Sequence, residues 1–171
     1  MSTLSKSDDS LRSTRLVFYK EDIELIGKNL NTFLKNANAR CVLLVDKDGH
    51  LVTKEGESST YDMDTISALV AGSFAATKQM AKLLGEEEFS IMFHQGKKDN
   101  IQLSLVGERT ILAVIFDDKT TLGMVRLYAS QVSSKLAELF SEIAERKSEG
   151  EKISQEFGQA AKGKLDDIFG A

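Results

Sequence analysis

The sequence predicts an α/β protein of the α+β kind, with a five-stranded, mainly antiparallel sheet sandwiched by helices in the order α-β-β-α-β-β-β-α. Three observations carry that expectation. Separate stretches repeat their apolar residues at three- and four-residue steps, as helices do. Short runs rich in β-branched residues lie between them, and Gly- and Asp-bearing turns join those runs. With 42% hydrophobic and 28% charged residues in 171 positions, the chain can build one ordinary core. It is too short for two comfortable domains.

Residues 1–15 combine five serines, two threonines and five charges with only two leucines after Met1. Such a segment cannot offset the entropy of ordering, so a flexible arm is expected. The folded domain is expected over residues 16–147. Ile23, Ile26, Leu30, Phe33 and Leu34 form the stripe of a first helix ending near Asn36. Cys41 to Val45 is a fully apolar run, Asp46-Lys47-Asp48-Gly49 supplies a turn, and His50 to Thr53 returns, which predicts a hairpin.

After a polar loop, Asp64 is the expected cap of a second helix that runs to about Leu84 and stops at Gly85. Its large apolar residues Ile66, Leu69, Val70, Phe74, Met80, Leu83 and Leu84 are expected to pack on the sheet. Phe89 to His94, Ile101 to Val106 and Thr110 to Phe116 are three further strands on short connectors. From Leu122, the residues Val125, Ala129, Val132, Leu136, Phe140 and Ile143 trace a last helix. Residues 148–171 read as a flexible linker and tail, ending in the short amphipathic motif Leu165, Ile168 and Phe169.

Charge and composition exclude several function classes. Twenty-two Lys and Arg against 26 Asp and Glu give a net charge of −4, with no basic tract for nucleic acid. No apolar run suits a membrane span and the start lacks a signal-peptide core, so a cytoplasmic chain without membrane insertion is expected. One Cys and two His make a zinc site a poor reading, and no cofactor is expected. Asp46-Lys47-Asp48-Gly49 has its glycine two positions too early for a calcium loop, which leaves a plain hairpin turn. His94 is read as a structural histidine at a strand end, His50 as solvated, and Cys41 as a buried thiol. The motifs of phosphate-binding loops, dinucleotide folds, zinc proteases and hydrolase elbows are missing. No constellation assembles an active site, so an enzyme is not expected.

The second helix is the informative part. Beside its large apolar residues runs a stripe of small ones, Ala68, Ala71, Gly72 and Ala75, continued by Gln79. Alanine is the best helix former and by itself fills a bland face. An ordinary solvated face, however, carries charges, and here the first charge after Asp64 is Lys78. A mid-helix glycine, costing about 1 kcal/mol against alanine, suits a face that another backbone approaches closely. The interface reading is favoured over the bland one.

Several stretches together resemble the roadblock/dynein light-chain family, and within it the MglB-like branch. They are Val42-Leu43-Leu44-Val45-Asp46-Lys47-Asp48-Gly49, Leu69-Val70-Ala71-Gly72-Ser73-Phe74-Ala75-Ala76 and Ala81-Lys82-Leu83-Leu84-Gly85-Glu86. Phe93-His94-Gln95-Gly96 and Val114-Ile115-Phe116-Asp117 followed by Thr121-Leu122-Gly123-Met124-Val125-Arg126-Leu127 complete the match, over about Leu16 to Ile143.

The resemblance implies a roadblock fold whose sheet continues across a homodimer, with the second helices of two copies side by side. It implies a partner, an MglA-like Ras-family GTPase, bound by two copies of this chain, and GTPase activation in the service of bacterial cell polarity or motility. Activation in this branch works by ordering the switch loops rather than by an inserted arginine, and neither Lys119 nor Arg126 is nominated as one. Carried onto this sequence, the partner-binding residues would be Ala68, Ala71, Gly72, Ala75 and Gln79, with Lys78 and Lys82 at the rim. Leu165, Ile168 and Phe169 loosely resemble a C-terminal docking segment; a disordered acidic end is the alternative. Concentration at a cell pole is a further implication. A non-catalytic scaffold of the same fold competes with the activator reading. A small-ligand sensor is a third reading, disfavoured because no convergent polar cluster is visible in the sequence.

Overall fold

A computed structural model describes residues 16–170, so the arm expected over residues 1–15 lies outside the described residues. The element order is α1 (Lys20–Ala37), β1 (Cys41–Asp46), β2 (Leu51–Gly56), α2 (Met63–Leu83), β3 (Ile91–Gln95), β4 (Asn100–Val106), β5 (Thr110–Phe116) and α3 (Leu122–Phe169). This is the expected order. The five strands form one sheet in the order β2-β1-β5-β4-β3, and every neighbouring pair is antiparallel.

β1 and β5 lie inside the sheet and are buried along their whole length, which explains why their sequences are continuous apolar runs rather than alternating ones. Cys41, Leu43, Val45, Ile111, Ala113 and Ile115 face α2 and pack with its Met63, Val70 and Phe74. Their sequence neighbours point to the opposite face, as the two-residue period of a strand requires. On that second face Phe93 stacks on Phe116 across the sheet, with ring centroids 6.1 Å apart. α1 buries Ile26, Leu30, Phe33 and Ala37 and runs against β2 and β1.

Two helix boundaries show local chemistry. Asp62, not the expected Asp64, caps α2: its carboxylate accepts the Thr65 N–H at 3.1 Å and the Thr65 hydroxyl at 2.7 Å. Those bonds, the hydroxyl's first, hold the Asp62 carboxyl below its ordinary pKa. Asp64 instead sits in the first turn, where a negative charge complements the helix dipole. At the other end Glu86 N–H donates to the Ala81 carbonyl and Gly85 N–H to that of Lys82. Gly85 adopts φ +81°, so the stop is a Schellman motif with glycine in its usual place.

The chain divides into two compact units. One is Phe18–Glu138, which holds the sheet, α1, α2 and the start of α3. The other comprises, among the described residues, 16–17 and 139–170. In this second unit Phe140 and Ile143 are buried, and every described residue from 148 onward is exposed. The expected flexible linker is helical here, because 148–163 contains no proline and is rich in Glu, Lys, Gln and Ala. Lys147 and Glu151 add an i,i+4 ion pair at 3.8 Å.

Candidate functional site

The outward face of α2 is the candidate site, and residue phase along the helix explains its make-up. At 100° per residue, Met63, Ser67, Val70, Phe74 and Ala81 share the inward face and are buried. Ala68, Gly72, Ala75, Gln79 and Lys82 fall on the opposite side and are exposed, with Lys78 exposed beside them. Six of the seven helix residues singled out in the sequence thus reach solvent together. Ala71 does not. It lies at the border of the two faces, is 6% exposed and is covered where the β1–β2 turn crosses the helix.

That turn needs its glycine twice over. Gly49 adopts φ +93°, and a Cβ there would lie 3.3 Å from the Ala68 Cα and 3.8 Å from the Ala71 Cβ. The turn is fixed by its own hydrogen bonds: Gly49 N–H donates to the Asp46 carbonyl and Asp48 N–H to the Asp46 carboxylate. Arg109, from the β4–β5 turn, reaches Asp48 at 3.1 Å and Asp46 at 3.6 Å. Lys47 meets Glu88 with both carboxylate oxygens, at 3.0 and 3.1 Å. These ion pairs tie the hairpin turns to the segment after α2, so the platform's surroundings are held from both ends. Beyond Lys78 and Lys82 the surface turns acidic at Glu86, Glu87 and Glu88 around an open concavity of about 530 Å³.

A second exposed stripe was merged with the core in the sequence reading. Leu69, Met80, Leu83 and Leu84 were expected on the sheet, yet they are 64%, 57%, 88% and 70% exposed. Leu69 and Met80 are eleven residues apart and so in phase with each other, about 100° away from Val70 and Ala81. With Ala76 between them they form an apolar stripe beside the small-residue face. Ile91 on the outer strand β3 is also half exposed. The available signal was this phase difference, which grouping by side-chain size hides.

The tail residues Leu165, Ile168 and Phe169 share one face of α3 and are all exposed. Cys41 is a free, buried thiol whose pKa burial pushes up to about 11, which suppresses nucleophilic chemistry. His50 and His94 are exposed, and His94 has no turn carbonyl as a partner among the described residues. Among the described residues, no group of three or more His, Cys, Asp or Glu is placed to hold a metal, and no helix is long and apolar enough to cross a membrane.

Comparison with known proteins places this geometry. The Roadblock/LC7 domain model matches residues 25–116. Myxococcus xanthus MglB is 41% identical, with a TM-score of 0.71 over 75% of this chain and 96% of its own. The gliding protein MglB from Thermus thermophilus is 34% identical, with a TM-score of 0.70 over 74% and 96%. An MglB described with a tetrameric arrangement is 32% identical, with a TM-score of 0.72 over 75% and 96%. With the family model spanning more than half the chain and the strand order and helix faces as described, the chain belongs to the Roadblock/LC7 family and is an MglB-like member of it.

Proposed function

We propose that this chain is a homodimeric GTPase-activating protein for an MglA-like Ras-family GTPase, acting in cell polarity or motility. The observation that carries the reading is the exposed face of α2, where small residues adjoin an unpartnered apolar stripe. Solvent-exposed Leu69, Met80 and Leu83 favour close packing against a second copy, and β3, an outer strand, offers an edge for continuing the sheet. Two α2 helices of 21 residues, each about 31 Å long, then make a flat platform.

On that platform Ala68, Gly72, Ala75 and Gln79 contact the GTPase, and Lys78 and Lys82 flank it. Ala71 supports the face from below instead of touching the partner. The activator contributes no active site, cofactor or metal of its own. It orders the switch loops so that the GTPase's own groups are aligned for phosphoryl transfer, a reaction governed by positioning and charge stabilisation. Leu165, Ile168 and Phe169 form a secondary contact on the same partner. Residues 148–163, as helix, span about 24 Å, comparable with the reach of a flexible linker of that length.

Single-turnover GTP hydrolysis by an MglA-like GTPase tests the reading, with wild type, Ala75→Arg and a chain lacking residues 164–171. Acceleration by wild type is expected, lost in Ala75→Arg while its circular dichroism and dimer mass stay unchanged. Truncation is expected to weaken binding or alter nucleotide exchange. Binding without acceleration would make the protein a scaffold. An Ala75→Arg variant that still accelerates hydrolysis would remove the platform.

A further inference from the structure

From residue 148 onward every described residue of α3 is exposed, yet this stretch of helix is two-sided. At 100° per residue, Ile153, Phe157, Leu165 and Ile168 fall within one arc of about 140°. They are 67%, 77%, 54% and 69% exposed. Phe140 and Ile143, which are buried, share that arc, so a face covered in one part of the helix continues uncovered in the next. Gly150 and Gly158 lie in the same arc. Among the described residues, no other part of the chain comes within 4 Å of a Cβ placed on either glycine. Mid-helix glycines weaken a helix, and these two serve no contact within the chain. They suit a face that another helix approaches closely.

The charges beside that face identify the other helix. Eight of them form four blocks of alternating sign: Arg146 and Lys147, Glu149 and Glu151, Lys162 and Lys164, Asp166 and Asp167. Reversed against itself about a point between Glu156 and Phe157, the helix sets Arg146 opposite Asp167 and Lys147 opposite Asp166. In the same register Glu149 meets Lys164 and Glu151 meets Lys162. The phases agree as well. Arg146, Asp167, Glu149 and Lys164 lie on one flank of the arc, and the other four on the opposite flank. In an antiparallel pair of identical helices each flank meets its own counterpart. Lys152 and Glu156 fall opposite Ala161 and Phe157, so like charges are never opposed. A parallel pair in register would set every block against itself, and flanking charges decide helix orientation. We propose that the α3 tails of two copies of this chain pair antiparallel through this face, with Phe157 near its counterpart at the centre. The pairing stands apart from the α2 platform, and a GTPase docking on Leu165 and Ile168 would compete with it.

The test uses full-length chains without any GTPase, so its outcome holds whatever becomes of the α2 platform. Glu151→Cys and Lys162→Cys chains are co-expressed and oxidised with copper phenanthroline; Cys41 is buried and stays out of the reaction. Within one helix the two positions are about 16 Å apart, beyond disulfide reach, so a linked band reports two copies. A strong band from the mixture is expected, and little from either chain alone. No band from the mixture, or an equal band from Glu151→Cys alone, would overturn the proposal. Hydrogen exchange over residues 153–168 supplies the second readout. Glu149→Lys with Glu151→Lys is expected to speed exchange about tenfold, and adding Lys162→Glu with Lys164→Glu to restore protection. Unchanged exchange in the double variant, or no recovery in the quadruple variant, would count against the pairing.

Discussion

Gly49 and Ala68 bring two backbones into contact: a Cβ on the turn glycine would sit 3.3 Å from the helix Cα. The β1–β2 turn therefore braces α2 directly beneath its exposed face, and the same contact buries Ala71. Gly49→Val should show both consequences. Its φ of +93° is unfavourable for a β-branched residue, so a loss of roughly 1–3 kcal/mol is expected from the backbone alone. Urea denaturation measures that loss. Any GTPase affinity lost beyond the unfolded fraction then reports displacement of Ala68.

Leu83, 88% exposed on the apolar stripe of α2, should matter to assembly rather than to folding. Leu83→Asp is expected to leave the helical signal intact while weakening self-association, by about 2 kcal/mol per copy if the residue is central to the interface. Sedimentation velocity across a dilution series reads the result directly. An unchanged association constant would exclude this stripe from the dimer interface.

The cap at Asp62 gives a pH signature. Its carboxyl is held below the ordinary value by Thr65, so the unfolded chain binds the proton more tightly than the folded one. The stabilisation is fully present above the unfolded pKa of about 3.9 and is lost as pH falls through the lower, native value. Asp62→Ala should accordingly be less stable than wild type at neutral pH. The gap should close in strong acid. Parallel thermal melts between neutral pH and acid measure it.

Cys41 has the opposite sign. Burial raises its thiol pKa to about 11, above the unfolded value of about 8.5. As pH rises between those values, the unfolded chain loses the proton first and folding is destabilised. A Cys41→Ala variant should lack this alkaline component. In native wild type, a thiol reagent should react only as fast as the chain opens, and immediately in denaturant.

Much of the fold was legible because local rules and global packing agree. β1 and β5 are apolar throughout since both faces are covered, and the glycines at 49 and 85 mark a turn and a helix stop that require positive φ. The limits of β5 and the stop of α2 at Gly85 matched expectation for that reason. The cap of α2 slipped by two residues because Asp62 and Asp64 are equally plausible acceptors on paper. Only the Thr65 bonds distinguish them. The helix over 148–163 was not legible in the sequence, since composition reports solvation, not conformation, and a polar segment without proline is free to be helical.

The candidate sites divide along the same line. The sequence by itself determined the small-residue face of α2, because a face is set by the helix period and Ala68, Gly72, Ala75 and Gln79 carry it within one element. Tertiary structure alone decided that Ala71 is covered, since its cover comes from a turn 22 residues earlier. It also decided that Leu69, Met80 and Leu83 are outside, because hydrophobicity fixes what must be buried but not whether this chain or another buries it.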